Sequence, residues 1–147
     1  MDRTITERTR TVTLLLVDDD DGDARSVQRA FASARIVNPI VRAIDGIDAL
    51  DILRGSNGRT KLPPPYLLLV DLNMPRMNGI ELVDALRQDP DLHSCIVFVL
   101  TTSRRDEDKV AAYDLNVAGY IVKEHAGQDF QRLIDMMQCY WRVVELP

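Results

Sequence analysis

Long apolar runs are missing from this sequence: stretches such as Leu67–Val70 and Ile96–Leu100 fall far short of the roughly 18 residues that a membrane-spanning helix needs. The opening MDRTITERTRT has no apolar h-region, so it is neither a secretory signal nor an anchor, and the cytoplasm is the expected location. Basic character is also lacking. The formal net charge is −5 and the arginines are scattered, which argues against a nucleic-acid partner, because such binding draws on clustered Lys and Arg. Cysteine is scarce. Cys95 and Cys139 stand alone, without CxxC or Cys/His spacing, so they indicate neither a zinc site nor a disulfide scaffold and read as structural, reduced thiols. No internal repeat is present.

What is there fits one globular domain. The chain has 147 residues, 46% hydrophobic and 28% charged, enough to build a single buried core. Residues 1–11 are polar and without periodicity and read as a flexible leader; 12–147 are expected to form the domain, with no output domain after it. From Val12 the pattern becomes regular. VTLLLV (12–17) is a strand-length apolar run halted by four aspartates and Gly22. Val27, Ala30, Phe31 and Ala34 then recur at helical spacing, predicting a helix over about Asp23–Arg35. PIVRAI (39–44) reads as a second strand, and Ile47, Leu50 and Leu53 mark a helix over about Gly46–Arg54.

The glycine- and proline-dense stretch GSNGRTKLPPP (55–65) reads as a surface loop, since the same alternation resumes after it. YLLLVD (66–71) is a third strand. A turn, MPRMNG, leads into a helix carrying Ile80, Leu82, Val83 and Leu86, which Asp89-Pro90 ends. CIVFVLT (95–101) and GYIVK (119–123) are the last two strands, separated by a charged helix over about Arg105–Asn116 and followed by one over about Gln128–Leu146. Five apolar strands alternating with five helices indicate an α/β fold with a parallel sheet buried on both faces. In such folds chemistry gathers at the carboxyl ends of the strands.

Those ends carry Asp18 and Asp19, Asp71, Thr101 and Thr102, and Lys123. Three crowded carboxylates repel one another and call for an opposing charge. Oxygen donors suit a hard divalent cation, and Mg²⁺ uses one or two carboxylates, waters and phosphate oxygens. A phosphoryl group completes such a site, with Lys123 and the Thr101 hydroxyl placed to hold its oxygens and Asp71 the central nucleophile. Of the neighbouring residues, Asp20 and Asp21 read as solvated, Asp23 as the cap of the first helix, and Thr102 and Ser103 as caps of the helix that follows them. His93 and His125 are lone histidines, and Met74 and Met77 read as turn packing.

The constellation resembles the receiver domain of two-component response regulators, over nearly the whole chain from Val12 onward. LLLVDD carries the family's acidic metal-binding pair and LLLVDLNMPRMNG its phosphorylation segment. The resemblance implies a flavodoxin-like five-stranded sheet of order 2-1-3-4-5 with five flanking helices. It makes Asp71 the phosphoacceptor and assigns the metal to Asp18, Asp19, Asp71 and the backbone carbonyl of Asn73. Thr101 in FVLTTS becomes the switch hydroxyl, Tyr120 in GYIVK the switch aromatic and Lys123 the phosphate-binding lysine. One departure stands out: Glu124 follows Lys123 where the family usually has proline, which implies a different path for that loop.

The extended loop 55–65, the residue after the lysine and the ending CYWRVVELP are similar to small single-domain regulators paired with bacterial phytochrome kinases. That similarity implies a histidine kinase partner, a regulator without an effector domain, and no enzymatic activity beyond slow autodephosphorylation. Over Gln128–Leu146, Phe130, Leu133, Ile134, Met137 and Trp141 form one apolar stripe, and Met136, Tyr140, Val143 and Val144 a second. Two stripes on one helix point to a homodimer. Two other readings compete. Asp19-Asp20-Asp21-Gly22 fits the DxDG opening of haloacid-dehalogenase-type phosphatases, with Asp19 as nucleophile, although Asp23 replaces the usual threonine. An unphosphorylated pseudo-receiver is the other, disfavoured because the full site set is present.

Overall fold

The computed structural model describes residues 12–33, 38–72, 74–101 and 114–122, together with positions 132 and 135, which are helical. The elements are β1 (Thr13–Val17), α1 (Asp21–Ser33), β2 (Ile40–Ala43), α2 (Gly46–Arg54), β3 (Tyr66–Asp71), α3 (Gly79–Gln88), β4 (Val97–Thr101) and β5 (Gly119–Val122). The strands form one sheet of order β2-β1-β3-β4-β5, and every pairing is parallel. This is the expected doubly wound architecture. The expected helix over Arg105–Asn116 lies almost wholly outside the described residues, as do most of Gln128–Leu146, the leader 1–11 and Glu124.

Strand alternation divides the core in two. Leu14, Leu16, Leu67, Leu69, Phe98 and Leu100 turn to one face, where they meet Val27 and Phe31 of α1. Leu15, Val17, Leu68, Val70, Val97 and Val99 turn to the other, against α2 and α3. The leucines of β1 and β3 are fully buried, each worth about 1.5–3 kcal/mol of apolar transfer. That is why the strands read as unbroken hydrophobic runs. Among the described residues, no helix is long and apolar enough to cross a membrane.

The helix ends show what punctuates the chain. Asp45 caps α2, its side chain accepting the Asp48 amide at 2.8 Å, and Gly55 closes it in the left-handed conformation at φ +70°. Asn78 and Glu81 form a reciprocal capping box on α3, worth about 1 kcal/mol. α1 starts two residues earlier than its apolar spacing suggests, because the cap is Asp20 rather than Asp23: Asp20 Oδ1 accepts the Asp23 amide at 2.8 Å and the Asp20 carbonyl accepts the Ala24 amide at 3.0 Å. Asp23 instead lies in the first turn, where an acidic side chain complements the helix dipole.

Loop 55–65 is pinned to α2. Leu62 is buried and its amide donates to the Ile52 carbonyl at 2.9 Å, while Arg59 reaches Asp48 at 2.6 Å. The loop returns the chain to β3, where the Pro65 carbonyl accepts the Thr13 amide at 3.1 Å.

Candidate functional site

Register brings the acidic residues together. Val17 pairs with Val70 across β1 and β3, so Asp18 and Asp71 follow at the same level on adjacent central strands. Side-chain oxygens of Asp18, Asp19 and Asp71 lie within 4.8 Å of one another. Asp18 and Asp71 are buried, at 0% and 5% exposure, and Asp19 is exposed. The cluster is therefore a recess with one open side.

The backbone around Asp18 is held firmly. Its amide donates to the Ala43 carbonyl at 3.1 Å, and its carbonyl accepts Nε and Nη2 of Arg42 at 3.2 and 3.0 Å. Its side chain accepts the Asp20 amide at 3.0 Å. Arg42 also pairs with Asp21, and that hydrogen bond and charge hold the Asp21 carboxyl below its ordinary range. Asp21 thus faces β2 rather than solvent alone. The role of Arg42 had no signal in the sequence, since a single arginine in a short strand reads as an edge charge.

On the other side of the recess, β3 ends against α3. The Gly79 amide donates to the Leu72 carbonyl at 2.9 Å. A Cβ on Gly79 would fall 2.4 Å from the Asp71 carbonyl oxygen and 2.7 Å from Leu72 Cα, so only glycine permits this approach. The Leu72 amide donates to the Leu100 carbonyl at 2.9 Å, fixing the turn after Asp71 to β4.

Further along the sheet, Asp71 pairs with Leu100 and Thr101 with Val122. Thr101 therefore ends β4 beside the strand that leads to position 123. Tyr120 is half-buried, pairs with Val99 and packs against the α2/α3 side of the core. Asn73, Lys123 and the side chain of Thr101 lie outside the described residues. The structure thus gathers three of the expected site residues, Asp18, Asp19 and Asp71, and aligns the backbone of Thr101 beside them.

Three carboxylates converging from two directions form an all-oxygen donor set suited to a hard divalent cation, which removes their mutual repulsion. Two of the three are buried, unlike the solvated acidic clusters common on protein surfaces. The phosphatase reading with Asp19 as nucleophile is not favoured: the carboxylate of Asp20 is occupied by the helix cap and that of Asp21 by Arg42.

Comparison with known proteins agrees with this geometry. The family model for the response regulator receiver domain matches residues 14–136. Response regulator Rcp1 of Synechocystis sp. is 33% identical over 135 residues, covering 91% of this chain and 92% of that protein. The crystal structure of the phosphorylated cyanobacterial phytochrome response regulator RcpA superposes with a TM-score of 0.80 at 30% identity, covering 94% of this chain and 99% of RcpA. The Mn²⁺-bound form of Rcp1 superposes with a TM-score of 0.77 at 33% identity, covering 92% of this chain and 99% of Rcp1. By sequence, sheet order and acidic recess alike, the chain belongs to the response regulator receiver domain family.

Proposed function

We propose that the chain is a single-domain response regulator that accepts a phosphoryl group on Asp71 from the phosphohistidine of a histidine kinase. The observation that carries this reading is the recess itself, with Asp71 at the end of the central strand and carboxylate oxygens of Asp18 and Asp19 within 4.8 Å of it. In the transfer, an Asp71 carboxylate oxygen forms the new P–O bond as the P–N bond to the kinase imidazole breaks, and the imidazole leaves with the electron pair. Asp18, Asp19, Asp71 and the Asn73 carbonyl would hold Mg²⁺. When bound, the cation would neutralise charge on the phosphoryl oxygens.

Lys123 pairs with the phosphoryl group in this reading, and the Thr101 hydroxyl moves toward it together with Tyr120. A local charge thereby biases a two-state surface around β5 and the helices beside it. Signalling then proceeds by protein contact or onward phosphotransfer, with no enzymatic turnover beyond slow loss of the phosphoryl group. The likeness to RcpA, a phytochrome response regulator, supports a phytochrome-type kinase as donor. The domain runs from 12 to 147 behind a leader of residues 1–11, acts in the cytoplasm, and pairs as a homodimer through Gln128–Leu146.

The test is phosphotransfer from candidate histidine kinases labelled with radioactive ATP. An acid-stable, base-labile label that disappears in Asp71→Asn and in the presence of a chelator is the expected result. A label that persists in Asp71→Asn, or turnover of a generic phosphate ester, overturns the reading. Elution at twice the monomer mass at micromolar concentration is expected for the dimer.

A further inference from the structure

The loop after the acceptor is held at its base, Leu72 and Gly79, and at its tip, Arg76 and Met77. At the base, Gly79 closes it back onto Leu72 and Asp71 as described above. At the tip it leans on the segment joining β2 to α2. Met77 packs so closely on Gly46 that a Cβ there would fall 2.7 Å from Met77 Cγ, and Arg76 Nη1 lies 3.0 Å from Asp45 Oδ2.

Two features mark this contact as more than a surface ion pair. Arg76 adopts φ +66°, the left-handed region that a long L side chain enters only under strain. Such strain persists only where the surroundings hold it. Its partner Asp45 is buried at 4% exposure, and its other oxygen caps α2. Asp45 is therefore anchored independently of Arg76, and provides a fixed post to which the loop tip is tied.

We propose that Arg76 is a positioning residue for the acidic recess: by pairing with Asp45 it fixes the tip of the loop after Asp71, and so keeps Asp71 set for a divalent cation. This rests on the reading of Asp71 as acceptor beside a bound cation. Without the tie the loop samples other arrangements, and the apparent affinity for the cation falls with the fraction of molecules in the competent one. Neither residue touches the cation or the phosphoryl group in this scheme.

The experiment compares the full chain with Arg76→Gly, Arg76→Lys, Asp45→Asn and the double variant Arg76→Gly/Asp45→Asn. Three quantities are measured: Mn²⁺ affinity by electron paramagnetic resonance, the melting temperature without metal, and the rate at which acetyl phosphate labels Asp71. Arg76→Gly is expected to melt no lower than the unaltered chain, because glycine relieves the positive φ, yet to bind Mn²⁺ about tenfold more weakly, in the range seen for groups that orient metal ligands. Asp45→Asn retains a competent cap but presents an amide to the guanidinium, so a similar loss is expected. The double variant should lose no more than either single change, since both break one contact, and Arg76→Lys should recover most of the affinity.

Equal Mn²⁺ affinity in all variants, or losses that merely follow the melting temperature, would overturn the positioning role while leaving Asp71 as acceptor. Failure of the unaltered chain to bind Mn²⁺ and to be labelled at Asp71 would overturn the acceptor reading and this role together.

Discussion

At the amino ends of the strands, backbone carbonyls converge on one guanidinium; at the carboxyl ends, three carboxylates converge on one another. The amino edge is organised by Arg87, at the end of α3, whose guanidinium donates to the carbonyls of Leu115, His93, Cys95 and Asn116 at 2.7 to 3.0 Å. Burial holds its pKa below the usual arginine range, and the carbonyl cage offsets that cost. The segments leading into β4 and β5 are thereby tied to one helix. The carboxyl edge instead brings together Asp18, Asp19 and Asp71. The contrast separates two duties: one edge contributes stability, and the other holds charge in readiness for a ligand.

The sharpest way to break this contrast is Asp71→Asn. Loss of phosphoryl labelling by at least about 100-fold is expected, with thermal stability undiminished because one of three like charges is removed. Labelling assays and calorimetry on the same samples check both halves. At the opposite edge, Arg87→Met removes four hydrogen bonds and leaves carbonyl oxygens without their donor. A loss of about 3 kcal/mol is expected, read from urea denaturation, with Mn²⁺ affinity of the folded protein changed less than about twofold.

Addition of Mg²⁺ sharpens the comparison from the other side. At a free concentration about 100 times the dissociation constant, stability should rise by about 2.7 kcal/mol, and the gain should vanish in Asp71→Asn but survive in relative terms in Arg87→Met. The smallest effect concerns alkaline pH. The Tyr66 hydroxyl is pushed above its ordinary value of 10.0 by burial, with the nearby Cys95 adding to the rise, and burial likewise raises the Cys95 thiol. A raised folded-state pKa gives stability that is whole below the unfolded value and is lost as pH rises through the folded one. Stability should therefore begin to decline above about pH 8.5, where the unfolded thiol ionises, and decline further above about pH 10, where the unfolded phenol does. In Tyr66→Phe that decline should be shallower, as chemical denaturation across a pH series would show.

Much of this architecture was legible because local signals agreed. Helix Gly46–Arg54 and strand Tyr66–Asp71 have the bounds that the sequence predicts: an aspartate cap and a left-handed glycine delimit the first, and a proline-rich loop and an acidic end delimit the second. The start of α1 was misplaced for an equally local reason. Several consecutive aspartates can each cap a helix, and the choice of Asp20 depends on where β1 releases the chain. Cooperation between distant residues left no trace to read. Arg87 sits on a helix where arginine reads as a solvated charge, and its four carbonyl partners are identified only by tertiary structure. The same holds for Arg76 and Asp45, whose pairing depends on two neighbouring loops meeting. Asp18, Asp19 and Asp71 were legible because a parallel sheet sends all strand ends to one side.

The contact between Gly79 and the Asp71 carbonyl has a consequence for remodelling the protein. With Gly79 stitched back onto Leu72, this turn has a fixed length, and insertions or grafted recognition peptides would pull Asp71 out of place. Loop 55–65 is anchored to α2 through Leu62 and Arg59, but its tip at Gly58 is exposed with open space around it. A designer seeking to redirect the molecule to a new binding partner should lengthen or diversify that loop, and treat the turn behind Asp71 as untouchable.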